Sequence, residues 1–189
     1  VIFDPRVTDL NGPVPVVARP PGAYNTWTLN MTADGAMSIF NWARIVATGV
    51  PGGRGLDAVH VIGHGNASIV QLGRDYVDGR NAAQVFGQIK GKTRWIVFWS
   101  CLVGSDQTGT WRGAPQTFGD KVARAANANV VVAREVQVAH LRPPHNTVDF
   151  GSFEGPVDVY TPRGERWTYQ DHNPHRPTPR VPLEPMIFR

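Results

Sequence analysis

Three apolar runs separated by helical patterns constrain the fold of this chain more than any other feature. The runs are LDAVHVI (56–62), TRWIVFWS (93–100) and VVVA (130–133). Between them, the segments 81–89 and 117–129 carry apolar residues at helical spacing. Near-continuous apolar strands that alternate with helices are typical of a parallel sheet covered on both faces. We therefore predict an α/β fold with a mainly parallel central sheet and helices on both faces.

Local signals set the limits of the predicted helices. A further helix should precede the first strand, capped by Thr32 or Asp34 and ended by Gly49 and Pro51. Gly91 should close the 81–89 helix, and Thr117 with Asp120 resembles a capping box. The residues predicted to face the core are Ala36, Ile39, Phe40, Ala43 and Val46, then Val85, Phe86 and Ile89, then Phe118, Val122 and Ala125.

The 189 residues fit one domain, 1–189, with flanking regions of different character. Its parts are an extended, proline-rich arm (1–30) with one short edge strand, an α/β core (33–136), a β-rich extension of short, antiparallel strands (137–170) and a proline-rich tail (171–189). The core includes a small hairpin over 67–79 that turns near Gly73 and Arg74. An apolar content of 41% argues against global disorder.

Several classes of function are disfavoured. No apolar run approaches the roughly 20 residues that cross a bilayer, and no secretory signal opens the chain. The first residue is Val1, so we expect a segment cut from a longer product.

The net charge of +4 comes mostly from scattered arginines, without the basic stripe that nucleic-acid binding favours. This surplus of arginines leaves open that a polyanion such as an inositol phosphate binds the chain as an activator. The single cysteine, Cys101, excludes an internal disulfide and is compatible with a reducing compartment.

Two reactive side chains follow consecutive core strands. His64 comes after the first apolar run, in VHVIGHGN, and Cys101 comes directly after the second. Functional groups gather at the carboxyl ends of parallel strands, and paired strands lie about 4.8 Å apart. A thiol and an imidazole brought together there have the arrangement of a nucleophile and its base. Gly63 and Gly65 would let the backbone turn sharply, and the N–H groups of Gly65 and Cys101 are natural oxyanion donors.

These stretches resemble the caspase-like (clan CD) cysteine peptidases, and most closely the self-processing cysteine protease domains of bacterial toxins and CHAT-type domains. The resemblance rests on VHVIGHG, the hairpin IVQLGRDYV, and WIVFWSCLVGSD followed by FGDKVARAANANVVVA. It covers roughly residues 56–136. Ser100 departs from several branches, which have alanine or glycine before the cysteine.

The resemblance implies a three-layer sandwich and a cysteine endopeptidase of bacterial origin. His64 would be the general base, Cys101 the nucleophile and Gly65 an oxyanion donor, with no metal and no cofactor. The substrate would be a protein or peptide, including the chain itself, and the module would belong to a delivered toxin or effector acting in a target-cell cytosol. Arg134 or Glu135 would lie near the substrate pocket; a surface ion pair is the alternative for both.

Four alternative hypotheses fit the sequence less well. His60 and His64 have the spacing of a zinc pair on a helix, but on a strand about 13 Å separates them, so His60 is predicted to be a packed or hydrogen-bonded core residue. An α/β-hydrolase with His140 or His145 would need a glycine where Trp99 stands. A papain-like order, Cys101 and then His140 or His145, fits the preceding strand–helix pattern poorly. A phosphate-binding loop at GVPGGRG (49–55) is the fourth alternative, but this segment lacks the Gly-Lys-Ser/Thr ending of such a loop.

A non-catalytic caspase-like binding module is the alternative from another class. The loss of either residue of the pair would have favoured it, and both are present.

Overall fold

A computed structural model describes residues 2–3, 29–30, 39–49, 56–72, 75–105, 117–137, 141–142, 147–148, 152–169 and 180–182. The elements in chain order are β1 (Ile2–Phe3), β2 (Leu29–Asn30), α1 (Ile39–Gly49), β3 (Leu56–Ile62), β4 (His64–Asn66), β5 (Ile69–Leu72), β6 (Asp75–Val77), α2 (Ala82–Phe86) with a 3₁₀ turn (Gly87–Ile89), β7 (Thr93–Trp99), α3 (Phe118–Ala126), β8 (Asn129–Ala133), β9 (Leu141–Arg142), β10 (Thr147–Val148), β11 (Ser152–Glu154), β12 (Val157–Tyr160), β13 (Arg166–Tyr169) and β14 (Arg180–Pro182). These elements form an α/β fold.

A mixed sheet in the order β13-β12-β8-β7-β3-β1-β2 forms the centre of the molecule. Strands β3, β7 and β8 are parallel, which confirms the prediction from their apolar runs. β12 then pairs antiparallel with β8, and β13 pairs antiparallel with β12. The five strands of four to seven residues are extended by the two-residue strands β1 and β2.

The regions on either side of the predicted core contribute to this sheet. The arm was expected to supply one short edge strand, and β2 is that strand; the arm also supplies β1, an inner strand that pairs in parallel with both β3 and β2. The short antiparallel strands predicted after residue 136 are present. Two of them, β12 and β13, continue the central sheet, because β12 is hydrogen-bonded to β8. The predicted core and extension therefore share one sheet. In the tail, β14 pairs with β11.

The helices pack on one face of the sheet. α1, α2 and α3 share one apolar cluster with β3, β7 and β8. Edge-to-face aromatic contacts run through this cluster from Trp42 to Phe86, Phe98 and Phe118, at centroid distances of 5.9, 5.6 and 5.4 Å. On the opposite face the described residues include no helix; there Phe153 of β11 stacks on Trp99. The expectation of helices on both faces is therefore not met in the described part of the chain.

Where the structure describes them, the helices end within a few residues of their predicted signals. α1 ends at Gly49 with Ala43 and Val46 buried, whereas the predicted caps lie outside the described residues, as does the hairpin turn at 73–74. Gly91, with φ of +71°, follows the helix whose predicted inward residues are all fully buried. α3 stops at Ala126 because Asn127 adopts a left-handed conformation with φ of 53°. Its inner face is completed by Ala123 and Ala126, and Ala125 is half-buried.

No helix in the described ranges has both the length and the apolar character needed to cross a membrane.

Candidate functional site

The segments that carry His64 and Cys101 lie against each other. β3 and β7 are neighbours in the sheet, with Ile62 opposite Trp99. His64 lies two residues after Ile62, and Cys101 lies two residues after Trp99. At Gly65, an added Cβ would lie 2.5 Å from the Cys101 carbonyl oxygen and 2.9 Å from Ser100 Cβ. The backbone after β3 is therefore packed directly on the turn that contains the thiol.

His64 begins a short strand. The sequence predicts a glycine turn here, but His64–Asn66 pair antiparallel with β5, and β6 completes a three-stranded sheet. The His64 side chain is exposed, whereas Gly63 is buried with its Cα close to the Gln71 carbonyl. The two glycines thus serve close backbone packing on both sides of the imidazole, one against β5 and one against the cysteine turn. In place of the predicted sharp turn, the single residue Gly63 separates strands β3 and β4.

The Cys101 thiol is half-buried and lies between two backbone groups of one residue. The thiol donates to the Gln137 carbonyl at 3.5 Å, and the Gln137 N–H donates to Sγ at 3.4 Å. The following residue, Leu102, has a positive φ of 56°, which is costly for a branched side chain and marks a sharp turn. The Leu102 N–H donates to the Glu135 carbonyl at 3.0 Å and so fixes the turn to the segment after β8. Nothing local in the sequence indicated Gln137.

Arg134, a predicted substrate-binding residue, is engaged within the protein. Its Nε and Nη2 donate to the two carboxylate oxygens of Asp158, each at 2.8 Å. Asp158 is fully buried and also accepts from Arg166 at 2.8 Å and from Thr168 at 2.6 Å. This network ties the end of β8 to β12 and β13. The ion pair that the sequence offered as the alternative for Arg134 is thus formed, with a buried partner.

Glu135, the other predicted substrate-binding residue, has an exposed side chain that packs over Gly155. Gly155 has a φ of +67°, so it tolerates this close approach where a side chain would collide. The Glu135 carbonyl supports the cysteine turn through Leu102. Glu135 therefore lies next to the cysteine turn, in the same segment as Gln137, whose backbone contacts the thiol.

His60 is a core residue, as predicted. Its Nδ1 accepts a hydrogen bond from Trp99 Nε1 at 3.0 Å, and the two rings are stacked with centroids 6.2 Å apart. Burial lowers the pKa of His60 from 6.5 to about 4, so the imidazole is neutral at pH 7. Within the described ranges, no group of three or more His, Cys, Asp or Glu side chains is placed to hold a metal ion.

Ser100 adds a buried hydroxyl directly beside the thiol. Its Oγ has no hydrogen-bond partner in the part of the chain that the structure describes. The side chain contacts the region of Gly65, so it lies under the proposed site without forming part of its surface. His140 and His145, the bases of the alternative dyads, lie outside the described residues.

The fold and the site together define an α/β protein with a thiol and an imidazole at adjacent strand ends. Comparison of the chain with models of known families, with characterised proteins and with solved structures found no match.

Proposed function

We propose that this chain is a cysteine endopeptidase in which Cys101 is the nucleophile and His64 is the general base. The close packing of Gly65 on the Cys101 backbone is the observation that supports this most. It brings a thiol, the strand that carries the imidazole and two backbone N–H groups to the carboxyl ends of the neighbouring strands β3 and β7. Thiol chemistry on a carbonyl requires these three kinds of group.

The reaction proceeds in two steps. His64 takes the thiol proton as Sγ attacks the carbonyl carbon of the scissile peptide bond, and the N–H groups of Gly65 and Cys101 stabilise the oxyanion. The protonated imidazole gives its proton to the leaving amine, which leaves a thioester on Cys101. His64 then takes a proton from water as the water attacks the thioester, and the proton returns to the departing sulfur.

The caspase-like fold is part of the same proposal. It is supported by the parallel order β8-β7-β3 and by the placement of both residues after neighbouring strands of that set. A protein or peptide substrate, including the chain itself, follows from this class. A processing module of a delivered bacterial toxin or effector is the biological setting that the sequence resemblance suggests.

A thiol-directed peptidyl electrophile tests the pair of residues. Mass spectrometry of the intact wild-type protein should show one adduct, on Cys101. The substitution His64→Ala should slow this labelling by about 10²- to 10⁴-fold, which is the usual contribution of a general base. Asn66→Ala is the matched control, because Asn66 is an exposed residue of the same short strand; it should label at the wild-type rate.

Labelling that survives His64→Ala unchanged would contradict the assignment of the base. If it then disappears with His140→Ala or His145→Ala, the papain-like order becomes the better account. A wild-type protein that binds a partner but neither labels nor cleaves any peptide would favour the non-catalytic module.

A further inference from the structure

The segment 133–137 lies between the cysteine turn and β11. On the side of the turn, the N–H of Gly104 donates to the Ala133 carbonyl at 2.7 Å and that of Leu102 to the Glu135 carbonyl at 3.0 Å. The third contact on this side is the pair of backbone groups of Gln137 on Sγ. The surroundings of the sulfur are therefore set by where the backbone of Gln137 lies.

The Gln137 side chain fastens that backbone to β11. Its Oε1 accepts from the Glu154 N–H at 3.0 Å, and its Nε2 donates to the Glu154 carbonyl at 2.8 Å and to the Glu135 carbonyl at 3.2 Å. A primary amide offers a donor and an acceptor side by side, as a backbone peptide does. The side chain thus pairs with Glu154 in the way that a neighbouring strand would.

The side chains of the two residues before Gln137 are exposed, so the backbone of this segment is not held by burial in the core. The Val136 side chain is 55% exposed, and the Glu135 side chain is also exposed. The Leu102 N–H holds the Glu135 carbonyl, whereas the two hydrogen bonds from the Gln137 amide to Glu154 tie Gln137 itself to β11 and restrain its backbone near the sulfur.

We propose that Gln137 is a positioning residue, whose side-chain amide holds its own backbone against the Cys101 sulfur and so aims the nucleophile. In the resting protein the Gln137 carbonyl accepts the thiol proton, and once His64 has taken that proton the Gln137 N–H still donates to the sulfur and stabilises the thiolate. The inference rests on the proposed function, because it assigns Gln137 a role in the reaction of Cys101.

Two reagents separate positioning from mere exposure of the thiol. A small haloacetamide reacts with any accessible cysteine, whereas a peptidyl electrophile also requires alignment with the base and the oxyanion donors. The variants are Gln137→Met, which keeps the size and removes every side-chain hydrogen bond, and Gln137→Glu, which keeps the side-chain acceptor and removes both side-chain donors. Gln88→Met, on an exposed glutamine of the 3₁₀ turn, is the control.

In both Gln137 variants the ratio of the peptidyl rate to the haloacetamide rate should fall about 10- to 100-fold, since a displacement of about 1 Å can cost that much in rate. The control should keep the wild-type ratio. Circular dichroism and the thermal midpoint establish that the compared proteins are folded. A merely structural role would lower the midpoint and leave the ratio unchanged.

An unchanged ratio in a folded Gln137 variant, with His64-dependent labelling of the wild type, would overturn this inference and leave the proposed function standing. Absence of peptidyl labelling in the wild type would instead overturn the proposed function, and this inference with it.

Discussion

Gly65 shows how a single residue determines the distance between two segments. The sequence indicates a glycine that frees the backbone to turn, but its Cα lies where any side chain would meet the cysteine turn. Close approach of two backbones is a property of the folded molecule. The pattern His-Gly after a strand could therefore suggest the site, but it could not reveal what the glycine contacts.

The substitution Gly65→Ala should destabilise the protein by about 1–3 kcal/mol, because the new Cβ is too close to a carbonyl oxygen and the turn must move. Gly87→Ala is the matched control: its φ is −62° and nothing lies within 4 Å of an added Cβ. That variant should be neutral or stabilised by about 0.4–1 kcal/mol. Urea unfolding of both variants measures the difference, and equal stabilities would contradict the close packing.

His60 makes stability depend on pH. Its folded-state pKa of about 4 lies below the unfolded value of 6.5. Between these two pH values the unfolded chain therefore binds a proton that the folded protein does not bind. The stabilising effect of the neutral imidazole is fully present above the unfolded pKa and is lost as the pH falls from 6.5 to about 4. The full loss corresponds to about 3 kcal/mol of unfolding free energy.

Replacement by His60→Gln should remove this loss, because an amide oxygen accepts the Trp99 N–H without titrating. Asp78, whose pKa is lowered chiefly by its hydrogen bonds from the Arg80 side chain, also reduces stability in acid, but it does so in both proteins. Urea unfolding of the two proteins between pH 7 and pH 4 gives the difference. Parallel curves would show that His60 is not a buried neutral base.

At the level of the element, periodicity predicted the strands and helices that bury apolar residues. β3, β7, β8, the 82–89 helical segment and α3 are found within a few residues of their predicted limits. β4 was missed because its three residues are polar or glycine, and a strand without a buried face leaves no periodic pattern. Its existence depends on pairing with β5, which is a tertiary property.

The start of α3 can be tested directly. Thr117 Oγ1 accepts a hydrogen bond from the Asp120 N–H at 3.3 Å. Thr117→Ala should lower the unfolding free energy by about 1 kcal/mol, because an N-terminal helical N–H loses its acceptor. Thr117→Ser keeps the hydroxyl and should remain near the wild-type value. Thermal unfolding distinguishes the two, and equal losses for both variants would indicate that methyl packing, not the cap, matters at this position.

Across the whole molecule, contacts between distant positions complete what the local pattern begins. The strand-end argument suggested His64 and Cys101, and the structure brings their segments together. Gln137 contacts Cys101 across 36 positions, and Arg134 contacts Asp158 across 24. No local pattern encodes such pairs. For the same reason the sequence could not indicate that the three described helices would all pack on one face.

The buried carboxylate of Asp158 should be essential to the joint between β8, β12 and β13. Asp158→Ala leaves Arg134 and Arg166 without their shared partner, and the loss should be about 3–5 kcal/mol. Asp57→Ala, on an exposed residue of β3, is the control and should change stability little. Denaturant unfolding provides the comparison. Similar values for the two variants would contradict the role of the network.

Proteolysis itself tests the central claim most directly. The full chain is incubated with a peptide library, and new termini are identified by mass spectrometry. The account predicts cleavage at a defined set of bonds by the wild-type protein, and none by Cys101→Ala or His64→Ala. Cleavage of the same bonds by Cys101→Ala, or no cleavage by the wild type, would contradict it.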